Sequence, residues 1–235
     1  MLKGALLFDL WFDQPHRPTR DIDLLGFGPP EIDDLVEVFQ QVCVHTYDDG
    51  MGYNQTSVQT ARIRKGANYE GVRVTLTGKL DVARCSVQIN IGYGDAVTPA
   101  AEIVQFPALL EDVAPPSLRA YPEYTVIAEK YEAILSLGMT NTRLKDYFDL
   151  WFRATYAKID KAIRRQAIQA TFTRRRNEVP IVLPLGLSDA FAASPIKQQQ
   201  WRVFFSKSKL VALGLEEVIA VLRRLLGLPD SGAAD

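Results

Sequence analysis

The chain has 235 residues, 47% of them hydrophobic and 23% charged, with 27 Lys and Arg against 28 Asp and Glu. A net charge of −1 excludes, on average, a strongly basic nucleic-acid binder, and two cysteines, Cys43 and Cys85, are too few for a disulfide framework. No apolar run is long enough to span a bilayer.

The average hides a polarity. Residues 1–140 carry 11 basic and 19 acidic side chains, residues 141–210 carry 14 and 5, and residues 211–235 carry 2 and 4. An acidic half followed by a basic segment is a statement about partners. The cysteine usage makes a reducing cytoplasm the default compartment. The apolar N-terminus is interrupted by Asp9 and Asp13 and has no small-residue cleavage site, so it is not read as a signal peptide. Residue 2 already reads as part of a core element, and a preceding segment is expected.

In chain order, Leu2–Trp11 fits helix or strand, and Gln14–Pro18 reads as a loop. Asp21–Leu25 alternates polar and apolar, the strand signature, and stops at the Gly26–Pro30 turn. Glu31–Cys43 has helical spacing. Ala61–Arg64 and Val72–Thr77 alternate and are joined by Lys65–Gly71, which reads as a hairpin. Ser86–Ile91 alternates again and ends at Gly92-Tyr93-Gly94-Asp95. Thr98–Pro116 reads as loop. From Tyr124 the period becomes helical: Val126–Leu137, Arg143–Tyr156, Ile159–Phe172, Gln198–Phe205 and Leu215–Leu226. The predicted class is therefore α+β with segregated halves, a strand-rich domain over 1–120 and a helical domain over 121–235.

The sharpest chemical feature is Asp21-Ile22-Asp23. Residues i and i+2 of a strand share a face, so two carboxylates stand side by side while Ile22 and Leu24 hold the other face. A divalent cation would relieve their repulsion, and all-oxygen ligation suits Mg²⁺ or Mn²⁺. A polar strand edge facing water is the competing reading. Asp95 either caps its own turn or adds a carboxylate. In the helical half, Lys130 and Asp146 fall on successive helices joined by a short turn, so an antiparallel pair can bring them together. Lys130 is a compact phosphate donor or a solvated lysine paired with a glutamate. Asp149 lies three residues beyond Asp146 and competes for its role; Asp146 is preferred. Arg164, Arg165, Arg174, Arg175 and Arg176 form a basic segment that is either a solvated helix face or a surface suited to RNA phosphates, with Phe172 and Trp201 as stacking faces for bases. His16 and His45 are isolated, which argues against zinc. No phosphate-binding loop with Gly-Lys-Ser/Thr and no Ser-His-Asp arrangement is visible.

The Gly4-Ala5 pair, followed by the Asp-x-Asp strand and then a further strand reading Val87-Gln88-Ile89-Asn90-Ile91, resembles the layout of polymerase β-like nucleotidyltransferases. More specifically, Leu2–Phe8, Arg17–Leu25, Ala128–Ala133 and Leu137–Leu150 together resemble the AbiEii/AbiGii nucleotidyltransferase toxins of bacterial toxin–antitoxin pairs, along the chain from residue 2 to about 210. The resemblance implies a polymerase β-like domain with a mixed sheet followed by a helical domain. It implies metal binding by Asp21 and Asp23, with Asn90 standing where a third carboxylate is expected and able to offer an amide oxygen. It assigns the phosphate-end turn to Gly4, triphosphate contact to Lys130 and the last acidic motif to Asp146. Thr19 and Arg20, just before the acidic strand, are expected to face the nucleotide. The implied activity moves a nucleoside monophosphate from an NTP, with Mg²⁺ or Mn²⁺, onto an acceptor such as transfer RNA. The implied partners are an NTP, RNA and a cognate antitoxin, with no membrane. A weakly active or inactive nucleotide- or RNA-binding protein of the same fold is the alternative, because an amide at position 90 adds no charge and cannot act as a base. Nucleotidylation of a small molecule is a third reading, and the basic segment argues against it.

Overall fold

The computed structural model describes residues 1–13, 16–29, 31–64, 70–108 and 110–229. The Gln14-Pro15 part of the predicted loop, Pro30 of the predicted turn and residues 65–69 of the predicted hairpin connection lie outside them. The chain divides into two compact units, one of Met1–Asp95 with Ala101–Tyr121, the other of Ala96–Ala100 with Pro122–Asp235. The short segment joins the second unit because Thr98 both donates its N–H to, and accepts at its carbonyl from, the buried Thr125 Oγ1, each at 2.9 Å.

The first unit is a seven-stranded mixed sheet. In chain order it has β1 (Leu2–Lys3), α1 (Leu7–Trp11), β2 (Asp21–Gly26), α2 (Ile32–Val44), β3 (Met51–Arg64), β4 (Glu70–Leu80), β5 (Ala83–Tyr93), β6 (Glu102–Gln105) and β7 (Ser117–Ala120). The spatial order is β3-β4-β5-β2-β1-β7-β6. The pairs are antiparallel except β2 with β5 and β1 with β7. The alternation seen in the sequence sorts the two faces. Ile22, Leu24, Val74, Leu76, Ile89 and Ile91 form one apolar face, and Leu35, Phe39 and Cys43 of α2 cover it. Burying this surface, at about 25 cal/mol per Å², is what commits β2, β4 and β5 to a single register. The opposite face of those strands carries Asp21, Asp23, Arg73, Thr75, Gln88 and Asn90.

Two predicted details are corrected. The first edge strand starts at Met51, not at Ala61. Its alternation is broken by a register shift between Asn54 and Gln59. There Asn54 Oδ1 accepts from the Thr56 N–H, and Ser57 Oγ stands in for a ladder partner by accepting from the Thr77 N–H. A bulge of this kind erases the period-2 signal. The predicted loop Thr98–Pro116 contains β6, which pairs with β7 over four residues, too few for alternation to register.

The second unit is helical: α3 (Glu123–Leu137), α4 (Leu144–Tyr156), α5 (Lys161–Arg174), α6 (Asp189–Ala193), α7 (Pro195–Ser208) and α8 (Leu215–Leu226). Asp160 caps α5 by accepting from the N–H groups of Ala162 and Ile163. Gly227 ends α8 in a left-handed conformation. The core holds Ile127, Tyr131, Ile134, Leu150, Phe172, Leu187, Phe191, Leu215 and Leu222, all at or below 2% exposure. Mixed sheet first and helices second is the architecture the sequence predicts. Among the described residues no helix is long and apolar enough to cross a membrane.

Candidate active site

On the polar face of the sheet, register decides which side chains meet. Asp23 of β2 is opposite Asn90 of β5, and Asp21 is opposite Gln88. Asn90 is opposite Arg73 of β4, and Lys3 of β1 is opposite Asp23. One row therefore runs Arg73, Asn90, Asp23, Lys3 across four strands. Asn90, itself 6% exposed, donates from Nδ2 to Asp23 Oδ1 at 3.1 Å and to Asp21 Oδ2 at 3.4 Å. Its Oδ1 accepts from Arg73 Nε at 3.0 Å. Lys3 Nζ lies 2.7 Å from Asp95 Oδ2 and 5.1 Å from the Tyr121 ring centroid, so Asp95 fixes the lysine of this row.

Gly4 sits against the same carboxylate. Its φ is +83°, and a Cβ placed there would come within 2.5 Å of Asp23 Oδ2 and 2.8 Å of Asp23 Cβ. Both the left-handed backbone and the lack of space require glycine. Thr19 Oγ1 donates to the Asp21 carbonyl at 3.3 Å, and the Arg20 side chain is exposed.

In the helical unit, Lys130 of α3 meets two carboxylates of α4. Its Nζ is 2.8 Å from Asp146 Oδ1 and 2.7 Å from Asp149 Oδ2. Arg143 Nε is 2.7 Å from Asp146 Oδ2. Both aspartates are fully buried. Burial is the largest influence on Asp146 and pushes its pKa up. Lys130 and Arg143 together outweigh burial and the charge of Asp149, so the carboxyl is held below its ordinary value. A carboxylate stabilised this way is a poor proton acceptor and a good holder of a lysine. Nearby, burial pushes Tyr131 up to about 12, so its hydroxyl stays protonated.

The five arginines of the basic segment divide. Arg165, Arg174 and Arg176 are exposed. Arg164 donates to the Leu225 carbonyl at the end of α8, and burial lowers its pKa, with Arg165 adding to the effect. Arg175 pairs with the buried Glu132, which also accepts from Asn177. The predicted stacking faces are corrected. Phe172 is fully buried, with its ring centroid 5.3 Å from that of Tyr131. Trp201 is 3% exposed and donates Nε1–H to the Leu213 carbonyl. Both are core, because each sits on the apolar stripe of its helix.

Among the described residues no group of three His, Cys, Asp or Glu converges. The donor set on the sheet is two carboxylates, which fit one hard divalent cation. Asn90 presents N–H groups to them, not a lone pair. Sequence reasoning missed Arg73 and Arg143. Arg73 alternates with Val72 and Val74 and so was assignable to the polar face, but its opposition to Asn90 is a matter of register. Arg143 precedes Asp146 by three residues, a readable helical spacing.

The sequence profile described as "Nucleotidyl transferase AbiEii toxin, Type IV TA system" matches residues 1–218. Among solved structures, the chain is similar to JHP933 from Helicobacter pylori, at 18% identity over 96% of this chain and 81% of that one, with a TM-score of 0.51. It is also similar to an H. pylori chain proposed to be a nucleotidyltransferase, at 16% identity over 96% and 87%, with a TM-score of 0.46. The JHP933 likeness is one of fold. No curated protein matches.

Proposed function

The chain belongs to the AbiEii nucleotidyl transferase toxin family of type IV toxin–antitoxin systems, and from that premise we propose that it transfers a nucleoside monophosphate from an NTP to an RNA acceptor, with transfer RNA as the first candidate. The observation that carries the reading is the convergence of Asp21, Asp23 and the Gly4 backbone on one polar face of the sheet. In the transfer, the oxygen of an acceptor hydroxyl gives up its proton to solvent and forms a bond to the α-phosphorus, the bond from that phosphorus to the oxygen bridging the β-phosphate breaks, and pyrophosphate leaves with the electron pair. Asp21 and Asp23 would hold Mg²⁺ or Mn²⁺, which when bound supplies charge neutralisation on the triphosphate. Gly4 leaves Asp23 room to keep its orientation. Lys130 is the side chain assigned to triphosphate oxygens, oriented by Asp146 and Asp149. Thr19 and Arg20 flank the nucleotide, and Arg165, Arg174 and Arg176 supply the exposed cations for RNA. A cognate antitoxin follows from the family, and with only two cysteines, both free thiols, a reducing cytoplasm is the proposed compartment.

The orientation of Asn90 favours one second reading, a member that binds nucleotide and RNA with little turnover. The test is incubation with each α-³²P-labelled NTP, Mg²⁺ and total RNA, comparing wild type with Asp23→Ala. Label should enter RNA with one NTP and be lost in the variant. Absence of transfer with every NTP, while nucleotide binding persists, selects the second reading.

A further inference from the structure

The amide of Asn90 is locked between opposite charges. Turning it over would set its NH₂ against the Arg73 guanidinium, donor facing donor, and its oxygen against both aspartates, acceptor facing acceptor. Three hydrogen bonds would become three repulsions. Register reinforces this, because Arg73 and Asp23 flank Asn90 directly on its two neighbouring strands. The oxygen that could ligate a second cation is therefore held away from the carboxylates by Arg73. The charges agree. Asp21, Asp23 and Arg73 sum to −1, whereas a carboxylate triad without the arginine would carry −3.

We propose that this site takes a single divalent cation on Asp21 and Asp23, and that the Asn90–Arg73 pair excludes the second one, with Arg73 acting as a positioning residue that holds the Asn90 amide and supplies fixed positive charge in the second ion's place. The inference rests on the nucleotidyltransferase reading above and specifies its metal stoichiometry. Its consequence is that nothing in this cluster offers a metal-activated or carboxylate-activated attacking oxygen on the Asn90 side. The acceptor must bring its own reactive hydroxyl or find a base elsewhere.

The experiment is titration of the full-length protein with MnCl₂ alone, following free Mn²⁺ by electron paramagnetic resonance. Wild type should bind one ion that Asp23→Ala abolishes. The double variant Asn90→Asp/Arg73→Gln, which removes the arginine and supplies a third carboxylate, should bind two. Arg73→Gln should still bind one, about tenfold more tightly, because a positive charge a few ångströms from the ion is gone. Two specific ions in wild type, one in the double variant, or unchanged affinity in Arg73→Gln each overturns the inference. No specific Mn²⁺ in wild type overturns it as well. Label transfer by that same preparation then tells whether the transferase reading survives without it.

Discussion

Replacing Lys130 by Met removes the ammonium shared by two fully buried carboxylates. Arg143 still reaches Asp146. Breaking a buried pair by deleting one partner costs about 3–5 kcal/mol, because the remaining charge is stranded away from water; with Arg143 in place the lower end, about 3 kcal/mol, is expected. At about 1.5–2 kcal/mol per M in urea, the midpoint should fall by roughly 1.5–2 M. The three tryptophans are Trp11, Trp151 and Trp201, so a Trp11→Phe background makes fluorescence report the helical unit alone. Burial without the lysine raises the carboxylate pKa values, so the gap between variant and parent should shrink between pH 7.5 and pH 5. A midpoint shift under about 0.5 M at pH 7.5, or a gap indifferent to pH, would refute the claim that these carboxylates depend on Lys130.

Gly4→Ala should destabilise the sheet unit by about 1–3 kcal/mol through its positive φ and the clash with Asp23, and should reduce label transfer more than it lowers the melting temperature would suggest. For Asp146 the folded pKa lies below the ordinary 3.8. The stability it contributes is present above that value and lost as pH falls through the folded pKa; Asp146→Asn should flatten the acid limb of urea stability below about pH 4. Converting Arg165, Arg174 and Arg176 together to Gln should reduce the slope of log affinity for single-stranded RNA against log salt by about 2, with the melting temperature unchanged. Arg164→Gln or Arg175→Gln should do the reverse, lowering the melting temperature and leaving the slope in place.

Local chemistry in the sequence was enough to place Asp21 and Asp23 on one face, because strand alternation needs no partner. It was enough to set Lys130 and Asp146 on neighbouring helices, because Gly138–Thr142, between the predicted helices, is too short to do anything but reverse the chain. Helix α8 matched its predicted bounds, since an amphipathic stretch ending in glycine carries both signals. Registers and burial were out of reach. That Asn90 lies between Arg73 and Asp23 depends on how β4, β5 and β2 align, which is fixed by apolar packing under α2 on the other side of the sheet. That Lys130 grips Asp149 as well as Asp146 depends on helix rotation. The charge polarity of the opening counts is likewise refined only by folding. Of five clustered arginines, two are turned inward to a carbonyl and a buried glutamate, because desolvated acceptors there need a donor. Composition counts charges; tertiary structure decides which of them still face outward.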